Sequence, residues 1–191
     1  MTPRFDVATL FVEMCRTITD ESIIGRAQAS GAIEIYYHNI RDWAGNKHGR
    51  VDDTLYGGGK GMLLQAQPVY ACWQEICRQS GSRPYVVFPS PQGKVFTQQK
   101  ARELAGREHV LFLCGHYEGV DQRVLDELVD EELSLGDFVM TGGELAAMVM
   151  LDCVARLQPG VLAEDACFTD ESHWDGLLEY PQYTHPALWR D

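Results

Sequence analysis

The chain has 191 residues, 45% of them hydrophobic, enough for one domain with a well-buried core. Sixteen Lys and Arg against twenty-eight Asp and Glu leave a formal net charge of −12, which repels a polyanion at long range and by itself argues against a nucleic-acid partner. No apolar run is long enough to span a bilayer, and Met1–Asp6 carries no basic region followed by an apolar stretch, so no membrane partner and no signal peptide are expected. Six cysteines form no CxxC pair and several sit in apolar runs, which reads as reduced core thiols in a cytoplasmic protein.

Along the chain, short β-rich runs alternate with helical segments. Phe5–Phe11 reads as a first strand, followed by a helix that starts near Thr19-Asp20-Glu21-Ser22 and stops at Gly31. Ile33–Tyr37, rich in β-branched and aromatic residues, is a second strand. Arg41–Gly61 is a long polar loop with many glycines, a length that usually carries function. Pro68 opens a helix with Val69, Cys72, Trp73 and Ile76 on one face, closed by Gly81. Tyr85–Phe88 is a third strand, Thr97 caps a helix that Gly106 stops, and Val110–Cys114 is a fourth strand. Asp121 caps a helix to Val129, and a last helix runs from about Gly143 to Leu157 before Pro159-Gly160. Strands separated by helices of this size predict an α/β fold with a mostly parallel sheet flanked by helices. The domain is expected to occupy residues 1–160, with an irregular tail from 161 to 191.

Four segments could carry chemistry. Tyr56-Gly57-Gly58-Gly59-Lys60-Gly61 is neither a P-loop nor GxGxxG, and alone it reads as a flexible turn. Phe88-Pro89-Ser90-Pro91-Gln92-Gly93 stiffens a bend at the carboxyl end of a strand, where α/β sheets bind ligands. Gly115-His116-Tyr117-Glu118-Gly119 brackets an aromatic and a carboxylate with glycines, which lets backbone approach a ligand. His116 itself reads as a surface or hydrogen-bonding histidine. Leu133–Glu144 places three glycines before a helix whose first amides can hold a ligand. The last three segments, at strand ends or a helix start, could converge on one pocket. Arg156, closing the last helix, and the carboxylates of Thr169-Asp170-Glu171-Ser172 also have plain readings, as a helix-dipole partner and a solvated segment.

Taken together, Thr9-Leu10-Phe11, Val51-Asp52-Asp53, Tyr56–Gly59, Gly61-Met62, Ser90–Gly93, Cys114-Gly115, Tyr117–Gly119, Gly142–Leu145, Pro159–Leu162, Gly176–Glu179 and Tyr183-Thr184 resemble, in order and spacing, the bacterial tRNA (guanine-N1)-methyltransferases, the TrmD family of the SPOUT superfamily. The resemblance implies a C-terminal trefoil knot, an exception to unknotted topology. It implies S-adenosylmethionine as methyl donor, a homodimer with sites built from both chains, and tRNA as substrate, methylated on the guanosine immediately 3′ of the anticodon.

By matching position the cofactor would be lined by Phe88, Pro89, Ser90, Pro91, Gly115, Tyr117, Glu118, Gly119, Ser134, Leu135, Gly136, Asp137, Phe138, Val139, Met140, Gly142 and Gly143. Arg156 would steady charge on guanine O6. The base that takes the N1 proton lies between Glu171, placed first by alignment, and Asp170, favoured by chemical identity. The reaction needs no metal, with magnesium left as an optional assistant. The chain departs from the family pattern at Val12, Leu55 and Ala146, where prolines are usual, and at Lys60. Relatives are expected to continue past the equivalent of Asp191 into a linker and a smaller helical domain that grips tRNA. A silent cofactor-binding dimer, or a SPOUT enzyme for another RNA, are the competing readings.

Overall fold

A computed structural model describes residues 2–164 and 171–189. Strands β1 (Arg4–Thr9), β2 (Glu34–Asn39), β5 (Tyr85–Val95), β6 (His109–Leu113) and β7 (Glu131–Ser134) form one sheet, in the order β2-β1-β6-β5-β7, with every pairing parallel. A small antiparallel hairpin, β3 (Asp52–Thr54) and β4 (Met62–Leu64), stands apart from it. Helices α1 (Val12–Thr19), α2 (Ser22–Ala29), α4 (Gln98–Ala105) and α6 (Glu144–Ala155) cover one face, while α3 (Ala66–Ser80) and α5 (Gln122–Leu128) cover the other. Strand alternation divides the core accordingly. Phe5, Val7, Val110 and Phe112 point into the first layer, and Ala8, Val86, Leu111 and Leu113 into the second.

The local signals work where their chemistry is simple. Thr97 accepts from the Lys100 amide and Asp121 from that of Arg123, and Gly81 ends α3 at φ 71°. Three expectations are corrected. The first strand ends at Thr9, and the chain turns at Phe11 into α1, a helix that was not expected, before the expected helix, which is α2. The long loop opens within a 3-10 turn, Ile40–Trp43, and contains the first strand of the hairpin, whose second strand follows it directly. A fifth sheet strand, β7, lies where only a glycine-bearing loop was expected, and β5 continues past Phe88 to Val95. β5 breaks register on β7 between Pro89 and Lys94, both of which face Leu133, so Ser90–Gly93 bulges out of the sheet.

Buried cysteines are plain core residues. Burial pushes the Cys15 thiol up to about 11 and raises those of Cys72 and Cys114 further, so they stay protonated. One polar cluster is buried among them. Asp6, with no exposed surface, accepts from His38 and His109 Nε2, each at 2.6 Å, and from Arg4 at 2.7 and 3.0 Å. Both imidazoles must donate from Nε2, because an ionised carboxylate only accepts. Burial works to raise the Asp6 pKa, but the bonds from His109, His38 and Arg4 outweigh it and hold the group well below the ordinary carboxylate range.

Asp6→Asn should therefore cost about 3–5 kcal/mol, since it strands buried donors that were built around a charge. The folded-state pKa is depressed, so this stability is present above the unfolded value of about 4 and is lost as pH falls below it. Denaturant titrations at pH 7 and pH 3 check both parts: a loss at pH 7, and a smaller acid decline in the variant than in the parent.

Candidate functional site

Beyond the carboxyl ends of β5, β6 and β7 lies a cavity of about 350 Å³, within the size range of small-molecule sites. Three segments wall it: the bulge Phe88–Gln92, the loop Gly115–Val120 after β6, and the stretch Glu132–Gly143 that includes the end of β7. Their approach depends on missing side chains. The Gly143 amide donates to the Gly115 carbonyl at 2.8 Å, and a Cβ on Gly143 would sit 3.1 Å from the Gly115 nitrogen. A Cβ on Gly142 would lie 2.5 Å from His116 Nδ1 and 2.3 Å from Glu144 Oε2. Tyr117 holds φ at 60°, an uncommon conformation for a bulky residue and one that clusters at functional sites.

Every residue expected around the cofactor lines this cavity except Asp137. Sequence reasoning missed Gln92, Val120, Gln122, Leu125, Glu132, Leu133, Thr141 and Ala146 as lining, and it treated His116 as peripheral although His116 is on the wall. Adjacency to Leu133-Ser134 was the available signal for Glu132; none pointed to the α5 residues Gln122 and Leu125. The lining mixes aromatic and aliphatic groups with the carboxylates of Glu118 and Glu132, and it contains no Lys or Arg. An electronegative, largely apolar pocket suits a flat heteroaromatic ligand that carries positive charge and disfavours one that carries phosphate.

Behind the wall, Glu144 is buried at the first turn of α6 and accepts from Thr9 Oγ1 at 2.9 Å. His116 Nδ1 lies 3.7 Å from its other oxygen, and the His116 ring packs on Phe11 and edge-on to Tyr117. The hairpin packs on the loop after β6, the Glu118 amide donating to the Met62 carbonyl and the Leu64 amide to that of Gly119, each at 3.0 Å. Gly61, at φ 95°, leaves room for Glu118, whose Cγ would be 2.5 Å from a Cβ there, and Arg41 donates to the Tyr117 hydroxyl at 3.3 Å.

The remaining assigned residues form a second cluster. Arg156, at the C-terminal end of α6, donates to both oxygens of Glu171 at 2.5 and 2.8 Å. Arg156 holds the Glu171 carboxyl below its usual range, and Glu171 raises the guanidinium in turn. Asp170 lies outside the described residues. Neither Arg156 nor Glu171 lines the cavity. The twelve residues of α6 separate them from Gly143, a rise of roughly 18 Å, farther than an arginine side chain reaches.

Among the described residues no three His, Cys, Asp or Glu side chains gather to hold a metal ion, and no helix is long and apolar enough to cross a membrane.

A family model described as tRNA (Guanine-1)-methyltransferase TrmD matches residues 3–191. The tRNA (guanine-N(1)-)-methyltransferase of Ruminiclostridium cellulolyticum is 54% identical over 184 residues, which cover 96% of this chain and 79% of that protein. That of Chloroflexus aurantiacus is 51% identical over 187 residues, covering 97% and 73% respectively. Among solved structures, the crystal structure of tRNA (m1G37) methyltransferase from Aquifex aeolicus is 36% identical with a TM-score of 0.84, and the match covers all of this chain and 79% of that one.

Gly115→Ala tests the cavity. The new Cβ would stand 3.0–3.1 Å from the Phe88 ring on the opposite wall. Overpacking of this kind costs 1–3 kcal/mol, so affinity for S-adenosylmethionine should fall about tenfold or more in calorimetry, with the fold retained by circular dichroism.

Proposed function

The chain belongs to the tRNA (guanine-1)-methyltransferase family, the TrmD family, and is a tRNA (guanine-N1)-methyltransferase; on that footing we propose that it methylates N1 of the guanosine immediately 3′ of the anticodon, with S-adenosylmethionine bound in the cavity at the ends of β5, β6 and β7. The observation that carries the cofactor assignment is the lining itself: glycine backbones in close approach, aromatic and aliphatic walls, two carboxylates and no cation. When bound, the cofactor supplies a methyl group on a positively charged sulfur. Phe88 and Phe138 would flank the ring system, and Glu118 and Glu132 would favour the positive charge. We assign magnesium no protein site.

The Arg156–Glu171 pair fits the other half of the reaction. The guanine edge presents a donor, N1–H, beside an acceptor, O6, and this is the complement of a carboxylate beside a guanidinium. Entering guanine exchanges one set of hydrogen bonds for another. Glu171, kept ionised by Arg156, accepts the N1 proton, and the charge that builds on O6 is met by Arg156. Separation of Glu171 from the guanidinium makes the carboxylate a stronger base at the moment the proton moves.

Because roughly 18 Å of helix lie between this pair and the cavity of the same chain, we propose that each active site joins one protomer's cavity to the pair of its partner. The surface that supports a homodimer is apolar. Phe11, Met14 and Ile18 on and before α1 and Leu145 and Val149 on α6 are each at least 40% exposed, with α1 packed beside α6. The trefoil knot and the division into a domain of residues 1–160 and a tail of 161–191 belong to the same proposal. The close packing of the α6 start on the loop after β6 supports the first, and the lack of helix or strand in the described part of the tail supports the second. A tRNA substrate and buried, unpaired thiols suit the cytoplasm.

Single-turnover methylation of a tRNA transcript, with and without the target guanosine, tests the assignment. Arg156→Ala and Glu171→Gln should each slow transfer by about a hundredfold or more while cofactor affinity stays within about twofold. Asp170→Asn should do less; the reverse order would move the base to Asp170. Shared sites make a further demand. Gly115→Ala protomers, impaired below saturating S-adenosylmethionine, and Glu171→Gln protomers, mixed so that heterodimers form, should regain activity at that cofactor concentration, because one of the two sites then has both halves intact. Mixing that restores nothing places the pair and the cavity in one chain.

A further inference from the structure

We propose that the Arg41–Gly61 segment, folded over the rim of the cavity, is a phosphate-tracking surface that receives the backbone of the substrate RNA beside the target base. The inference rests on the methyltransferase reading above and concerns how a chain of net charge −12 holds a polyanion. The segment carries Arg41, Lys47, Arg50 and Lys60, four of the sixteen cations, against only three of the twenty-eight carboxylates, Asp42, Asp52 and Asp53. Its local balance is therefore positive, against the chain's overall excess of carboxylates.

These cations are also available. Among the described residues, Arg4, Arg78, Arg83, Lys100, Arg123 and Arg156 are ion-paired to carboxylates, and none of the four in this segment is. Arg16, Arg102 and Arg107 lie over aromatic rings elsewhere. Instead, backbone and amide contacts hold the segment in shape. Asn46 bonds to the Arg50 amide and carbonyl, Arg41 reaches the Gly49 carbonyl, and the Arg50 Nε donates to the Asp52 carbonyl at 3.2 Å. Lys47, Arg50 and Lys60 are left exposed, the first two at the foot of the β3–β4 hairpin and Lys60 near its tip, with Tyr56 fully exposed close by.

The stripe leads to the reaction site. Its foot touches the wall through Arg41 on Tyr117, and its tip through Gly61 on Glu118. An RNA strand whose base enters the cavity must lay its flanking phosphates near the rim, and an exposed tyrosine among cations suits an unstacked neighbouring base. A polar array of Lys and Arg with an aromatic fits nucleic acid backbone better than an apolar partner surface. Lys60, one of the positions at which the chain departs from the family pattern, puts a cation at the tip.

The test is filter binding of a tRNA transcript to the 191-residue chain from 50 to 200 mM salt, beside the triple variant Lys47→Ala/Arg50→Ala/Lys60→Ala and the control Arg26→Ala, an exposed cation on α2. Removal of three phosphate contacts should reduce the slope of log affinity against log salt by close to three, about one per cation, while Arg26→Ala leaves it unchanged. S-adenosylmethionine affinity, and the single-turnover rate at saturating tRNA, should stay within about twofold in the triple variant. An unchanged slope, or a slope that falls as much in the control, overturns the proposal; so does a parallel loss of cofactor binding. Failure of the methyltransferase reading looks different: the parent chain would bind tRNA with a steep salt slope and transfer no methyl group.

Discussion

Backbone meets backbone where the loop leaving β6 touches the start of α6, and the rest of the site depends on that contact. The Gly143 amide bonds to the Gly115 carbonyl, and a side chain on Gly142 or Gly143 would collide with His116, Glu144 or the Cys114–Gly115 backbone. Two segments distant in sequence are thereby fixed a few ångströms apart, and the space left between them and the Ser90–Gly93 bulge is the cavity. Glu144 locks the junction from within, through Thr9 on β1 and the neighbouring imidazole of His116. A buried carboxylate at a helix N-terminus is also favourably placed against the helix dipole, so the same residue serves the helix start and the junction behind the cavity wall.

The direction of α6 follows from this anchor and sets the arrangement of the chemistry. The helix is apolar almost all round, with one face packed and a second, through Leu145 and Val149, left exposed among the described residues. It therefore acts as a stiff spacer, with the cavity at one end and Arg156 at the other. A reaction that needs a carboxylate and a guanidinium beside the methyl donor cannot be assembled along one such rod. In the homodimer proposed above, two copies set side by side with their apolar faces in contact would bring opposite ends into reach. The exposed Phe11, Met14 and Ile18 and the separated site would then share one origin, a geometry completed by a partner.

Much of this was legible in the sequence because it rests on residue types with narrow roles. Glycines next to strand ends, a threonine before a helix and a glycine after one each mark a backbone requirement that few other residues meet. The misses share a cause as well. Val12–Thr19 sets Val12, Met14, Cys15 and Ile18 on one arc against Glu13, Arg16 and Thr17, but eight residues show that period for little more than two turns, directly after an apolar strand. β7 is four residues long and half acidic, and it becomes a strand only because β5 offers it a parallel edge. β5 itself hides behind Pro89 and Pro91, tolerated because the chain leaves the ladder at the bulge just there. The Arg156–Glu171 pair was readable as two residues with assigned roles but not as a contact, since nothing in local pattern tells which carboxylate a long side chain will meet.

Charge is the last constraint to reconcile. An overall −12 suits the cavity, whose carboxylates favour a cationic ligand, and opposes the RNA that must reach it. Uniform charge cannot satisfy both demands, but a partitioned one can. Acidic groups crowd β7 and the helix before it, Asp126 to Glu132, while the hairpin on the far side of the rim carries cations without carboxylate partners. At physiological ionic strength a field is screened within about 8 Å, so a phosphate near the hairpin responds to Lys60 and Arg50 more than to the distant excess of aspartate and glutamate. Net charge then governs how slowly RNA arrives, and the local stripe governs where it settles; for an enzyme that must find one base beside a pocket built for a cation, the second matters more.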